Sequence, residues 1–167
     1  EKKIAFIGAF AKDPRYQGSG SSFVNNYRVT NAYDVALEEG ISAADLLYAP
    51  GYDRFSGDTT DELITEAVDT AKQADVAVIF AGLPEKMESE GYDRSHMKMP
   101  QGHCRLIEEI TRVQEHTVVV LYNGSAIELP WAEHVPAILE GYLSGEAVGE
   151  ATIDVLLSLI HISEPTR

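Results

Sequence analysis

Apolar residues fall into short β-branched runs, separated by stretches in which they recur every three or four positions. Ile4–Gly8 (IAFIG) reads as a buried strand that opens into a long Gly/Ser-rich loop, Ala9–Ser22. Asn31–Gly40 carries Ala32, Val35 and Ala36 at helical spacing and stops at Gly40, a residue suited to the left-handed turn that ends a helix. Leu46–Ala49 is a weaker strand. Thr59 followed three residues later by Glu62 has the form of a capping box, in which each side chain satisfies a backbone N–H of the first turn. Behind it, Leu63, Ile64, Ala67, Val68 and Ala71 form one helical face. Asp75–Gly82 (DVAVIFAG) is the clearest strand, nearly continuous in apolar residues as expected when both faces are covered. Leu106, Ile107, Ile110 and Val113 mark another helix, Thr117–Tyr122 and Ala137–Leu143 two more strands, and Glu146–Leu156 a closing helix.

Strands alternating with helices predict a three-layer α/β sandwich with a mostly parallel sheet. Loops leaving the carboxyl ends of such strands carry function. That rule singles out Ala9–Ser22, Leu83–Gly102 and Asn123–Trp131.

Composition narrows the partners. Hydrophobic residues make up 44% and charged residues 24%, as in a water-soluble globular domain. The formal net charge of −14 argues against nucleic acid and against anionic membranes. The longest apolar runs, Val76–Leu83 and Val118–Tyr122, are too short to cross a bilayer. Cys104 is alone, so the chain has no internal disulfide and no Cys-based zinc site. The chain opens on Glu1 directly before a strand, so the expected true N-terminus lies elsewhere. The compartment stays open, with a soluble cytoplasmic location slightly favoured.

Leu157–Arg167 (LSLIHISEPTR) resembles, residue for residue, the translation of a transposase-type sequencing adaptor. The expectation is therefore a genuine domain over 1–156, C-terminally truncated near Leu156, followed by a non-native tail over 157–167.

The chemistry concentrates in the loop after the best strand, Leu83-Pro-Glu-Lys-Met-Glu-Ser-Glu-Gly-Tyr-Asp-Arg94. Crowding of Glu85, Glu88 and Glu90 predicts mutual repulsion that raises at least one carboxyl pKa if the loop is partly buried. A carboxylic acid kept protonated near neutrality is what protonates a glycosidic leaving oxygen. By composition alone, such a loop more often is simply solvated.

The stretch Glu88-Ser-Glu90-Gly-Tyr-Asp-Arg94, followed by Met99-Pro100 and Leu106-Ile-Glu108, resembles the C-terminal α/β-sandwich domain of glycoside hydrolase family 3. Val118-Val-Val-Leu-Tyr-Asn-Gly-Ser-Ala-Ile-Glu-Leu-Pro-Trp131, Ala137-Ile-Leu-Glu140, Gly145-(x)3-Gly149-Glu-Ala151 and the Gly18–Ser22 turn are similar to further segments of that domain. The family pattern departs at Ala126, where proline is common, and at Glu146, where glutamine is. The resemblance implies part of a retaining β-glucosidase-like enzyme acting on a β-linked glycoside without cofactor or metal. It implies Glu90 as general acid/base, with Glu88 as runner-up. It places the nucleophilic aspartate in a separate N-terminal TIM-type barrel, so this chain alone is expected to be inactive.

Other readings stand beside these. Gly18–Ser22 could cradle phosphate in a nucleotide- or small-ligand-binding doubly wound module without hydrolase activity, although no P-loop lysine is present. A noncatalytic structural domain is a third reading. His96, His103 and Cys104 are a weak metal cluster, with Cys104 expected to face the core. Asn123-Gly124-Ser125 matches a glycosylation sequon but reads more simply as a turn. Tyr92 and Trp131 could stack on a sugar or sit in the core. Asp93 and Arg94 are expected to form an ion pair that holds the loop.

Overall fold

The computed structural model describes residues 2–91 and 94–162, with side chains to 157. Five strands, β1 (Ile4–Ile7), β2 (Leu46–Ala49), β3 (Val76–Gly82), β4 (Thr117–Tyr122) and β5 (Ala137–Glu140), form one sheet in the order β2-β1-β3-β4-β5. Every pairing is parallel. The register sets Phe6 beside Val78, and Phe80 beside Val120. Among the described residues, three α-helices connect strands, α1 (Ala32–Glu38), α2 (Asp61–Lys72) and α3 (Gln101–Thr111), and a fourth, α4 (Val148–Ile162), follows β5. None among the described residues is long and apolar enough to cross a membrane.

The layers follow from the period of two along each strand. Ile4, Phe6, Val76, Val78 and Val118 look toward Ile153, Leu156 and Leu157 of α4, which packs on α1. The alternate positions look toward α2, which lies on β1 and β2, and α3, which lies on β3 and β4. Double coverage explains why Ala77–Gly82 and Val119–Tyr122 are buried throughout. β2 and β5 are the edges of the sheet, and Ala137 and Ile138 of β5 are exposed.

The starts of α1 and α2 are set by side chains that replace missing backbone acceptors. The Asn31 carboxamide accepts the Asp34 N–H at 2.9 Å. α2 corrects the expected capping box by one residue. Its cap is Thr60, whose hydroxyl accepts the Leu63 N–H at 3.3 Å, while Thr59 donates to the Gly51 carbonyl at 2.6 Å. Thr59 is drawn off because a buried carbonyl at the end of β2 needs a donor. The closing helix begins at Val148 and its backbone continues through Ile162, with Leu157 partly buried against the core.

A buried aromatic layer lies beneath the carboxyl ends of the strands. Tyr52 is enclosed, accepts the Phe10 N–H at 3.2 Å and donates to the Phe80 carbonyl at 2.8 Å. Tyr122 shares a hydrogen bond with the Thr152 hydroxyl of α4 at 2.8 Å. Phe10 meets the Tyr52 ring edge to face at 5.6 Å. Tyr52 therefore ties the exits of β1 and β3 through a single hydroxyl. Tyr52→Phe keeps the packing but strips the Phe10 N–H of its acceptor. We expect a loss of about 1–3 kcal/mol, measured by urea denaturation; an unchanged midpoint would show that the hydroxyl is dispensable.

Candidate active site

The strand order 2-1-3-4-5 reverses direction at β1 and β3, and the crevice above such a switch point is where open α/β sheets bind ligands. β3 ends at Gly82, with φ of 142°. A Cβ there would stand 2.0 Å from the Tyr122 carbonyl oxygen, so only glycine lets β3 leave the sheet this close to β4. The amide of Gly82 donates to Nδ1 of His103 at 3.2 Å. His103, on α3, is completely buried, stacked at 3.8 Å on the Tyr52 ring. Burial drives its pKa down to about 3, and the nearby Arg54 charge acts the same way. A neutral imidazole with its proton on Nε2 is the form that can accept this amide.

Beyond Gly82 the chain passes through a 3-10 turn, Glu85–Met87, into the glutamate-bearing loop. Each glutamate meets a different partner. Arg54, from the loop after β2, makes two hydrogen bonds to the Glu85 carboxylate, at 2.7 and 2.9 Å. Arg15, from the loop after β1, pairs with the Glu88 carboxylate and donates to the Leu83 carbonyl at 2.9 Å and the Glu88 carbonyl at 3.0 Å. Glu88 also accepts the Gly124 N–H, from the loop after β4, at 2.9 Å. Glu90 accepts the Ser21 N–H, in the Gly/Ser turn, at 2.5 Å.

The expected repulsion among the three carboxylates is not found; all three are held below the ordinary value. Burial alone would push Glu85 up, but the hydrogen bonds and charge of Arg54 outweigh it. Burial acts likewise on Glu88 and is overcome by Ser125, the Gly124 N–H and Arg15. Glu90 is exposed and is lowered by the Ser21 hydroxyl and amide. The carboxylates do not face one another unscreened, because each has its own donor.

Glu88 and Glu90 open onto one cleft of about 800 Å³, with Arg15, Ser21, Arg94 and Ser125 on its walls. This volume suits a small ligand. The Gly/Ser turn thus turns an amide toward a protein carboxylate, whereas phosphate cradles leave such amides open. Arg94 donates to the Ser125 hydroxyl at 2.9 Å and the Ala126 carbonyl at 2.6 Å, holding the β3 loop to the β4 loop. Tyr92 and Asp93, and with Asp93 the expected ion pair, lie outside the described residues.

Trp131 is 1% exposed, packed in the core, so it offers no sugar platform. Asn123 is also buried, its amide donating to the Ser125 carbonyl at 3.1 Å, as a turn residue and not a glycan acceptor would. His96 is exposed and accepts the Lys98 N–H at 3.2 Å, while His103 is enclosed in the core. Cys104 is half-buried, and burial pushes its thiol up. Sequence reading missed Arg15, Arg54 and Gly124. The one available signal was the placement of both arginines in loops following strands.

The glycosyl hydrolase family 3 C-terminal domain model matches residues 1–163. The chain belongs to this family as its C-terminal domain. It is 48% identical to thermostable β-glucosidase B of Acetivibrio thermocellus over 160 residues, covering 96% of this chain and 21% of that protein. Identity to the exo-α-(1→6)-L-arabinopyranosidase of Bifidobacterium longum is 43%, covering 95% of this chain and 21% of that protein. The crystal structure of the family 3 β-glucosidase of Bifidobacterium adolescentis superimposes with a TM-score of 0.86 at 40% identity, over 95% of this chain and 23% of that one. The chain thus spans about a fifth of the length of the curated relatives it matches.

The His103 arrangement makes stability depend on pH. Between its unperturbed value of 6.5 and its folded value of about 3, the unfolded chain holds a proton on this imidazole that the folded chain does not. Stability therefore falls as pH drops through that window, by up to about 1.4 kcal/mol per unit. Urea midpoints should decline from pH 7 to pH 5, above the carboxylate range. His103→Gln, which retains an acceptor for Gly82, should flatten that slope; an equal slope would locate the proton elsewhere.

Proposed function

We propose that this chain is one domain of a larger retaining β-glycosidase, and that Glu90 is its general acid/base. The observation that carries the reading is the difference among the three loop glutamates. Glu85 and Glu88 are each tied to an arginine, while Glu90 stands exposed in the cleft and, among the described residues, meets only the Ser21 turn. A carboxylate bound to a guanidinium resists protonation, so Glu88 is a poor proton donor. A carboxylate held only by the uncharged Ser21 hydroxyl and amide can take and return a proton.

Retaining hydrolysis uses two carboxyls about 5–5.5 Å apart across the scissile bond. Glu90 supplies one. The second, an aspartate nucleophile, comes from an N-terminal TIM-type barrel elsewhere in the parent protein. Glu90 protonates the leaving oxygen as the aspartate attacks the anomeric carbon. It then takes a proton from the water that releases the sugar. In the open cleft its carboxyl is lowered by Ser21. Closure of the barrel over the sugar removes water and brings a second negative carboxylate close, and both effects raise its pKa toward the working range of an acid. The substrate class is a β-linked glycoside.

Two measurements test this. The chain as it stands should hydrolyse aryl β-glucosides no faster than buffer, because one carboxylate cannot form the glycosyl-enzyme; turnover abolished by Glu90→Gln would refute the shared site. In the full-length parent enzyme, Glu90→Ala should slow substrates with poor leaving groups by about 10²–10⁴-fold relative to activated aryl glycosides. Added azide should restore turnover, since an anion needs no general base. If Glu88→Ala shows both signatures and Glu90→Ala neither, the assignment moves to Glu88.

A further inference from the structure

We infer that Arg15 and Glu88 form a charge-neutral clamp that positions Glu90 and sets its proton affinity, an inference that rests on the role proposed for Glu90. The guanidinium is 1% exposed and the Glu88 side chain 17%. Arg15 holds the Leu83 carbonyl before the Glu85–Met87 turn and the Glu88 carbonyl after it, so one side chain fixes both ends of the turn. The Glu88 carboxylate then carries the connection onward to the Gly124 N–H. Loops from β1, β3 and β4 meet at this ion pair. Glu90 follows two residues later, in a seat with little slack. A Cβ on Gly20 would come within 2.7 Å of the Glu90 Cβ.

The pair is neutral as a unit, and that neutrality shapes the field at Glu90. Without the Glu88 charge, the buried Arg15 cation would favour ionised Glu90. Without the Arg15 charge, the Glu88 anion would oppose it. Among the described residues, the other charged or titratable groups facing the cleft are Arg94 and His96. Around them lie Glu85 paired with Arg54 and, beyond Asn123, Glu140 at the end of β5. These groups stay constant when the clamp is altered, so its effect separates from theirs. Arg15 and Glu88 are positioning residues: the carboxylate of Glu88 is occupied, and its work is done through the loop.

The test uses the full-length parent enzyme and the pH profile of kcat/KM, whose alkaline limb reports the general acid. Glu88→Gln should move that limb to lower pH and Arg15→Met to higher pH, each by about one unit. The double variant should return it close to the wild-type position. Arg15→Lys keeps the charge but loses the forked grip; its limb should stay in place while kcat on poor leaving groups falls by up to about 10²-fold, as for small misplacements of a catalytic group. Should Arg15→Met fail to fold by circular dichroism, the Glu88→Gln and Arg15→Lys pair still carries the test. Limbs that do not move, or that move together in one direction, would reduce the clamp to a structural tie and overturn the inference. Glu90→Ala, run in parallel, separates the two readings: without its leaving-group dependence the assignment of Glu90 fails first, and the clamp's catalytic role with it.

Discussion

A guanidinium taken out of water needs carbonyl and carboxylate oxygens to replace the solvent it loses. Arg15 finds them only if the loop after β1 folds down onto the loop after β3, and Glu88 completes the set only if the loop after β4 offers an amide. Three connections far apart in sequence are thereby held to one arrangement. An open or shifted loop would strand a buried cation, an error far more serious than the loss of a surface ion pair. Most of the geometry of the cleft follows from this one requirement.

The floor beneath it is built on another principle. Tyr52, His103 and Tyr122 are polar side chains sealed in the core, each pointing a polar atom at a neighbouring backbone group or hydroxyl. Their rings add apolar contact while their polar ends fix where β1 and β3 stop. The sheet is therefore greasy through its middle and hydrogen-bonded at its rim, and the loops start from defined points.

The regular elements were legible because their signals are local. Leu46–Ala49 and Thr117–Tyr122 are bounded as their apolar runs predict, and the parallel order follows from the alternation of strands and helices. The candidate loop was also legible, through its place after β3 and its motif. The partners of its glutamates were not. Arg54 lies 31 positions from Glu85, and Arg15 lies 73 from Glu88. Read locally, the three carboxylates repel; folded, each meets a donor that only the sheet order brings near, an arginine for Glu85 and Glu88 and the Ser21 turn for Glu90. The cap of α2 slipped for a similar reason, since the Gly51 carbonyl claims Thr59. Trp131 looked like a possible sugar contact because an aromatic side chain in a loop carries no sign of its own burial.

The spacing of the anchors along the β3 loop has an entropic meaning. Contacts at Glu85, Glu88, Glu90, Arg94 and the Met97 carbonyl, which accepts the Glu128 N–H at 2.8 Å, divide one long excursion into several short spans. Ordering a chain between fixed points costs less the closer those points lie, and each contact formed lowers the cost of the next. Much of the ordering of the cleft is thus settled during folding of the domain. Less freedom then remains to be lost when a ligand enters the cleft, and less of its binding energy is consumed in ordering the loop.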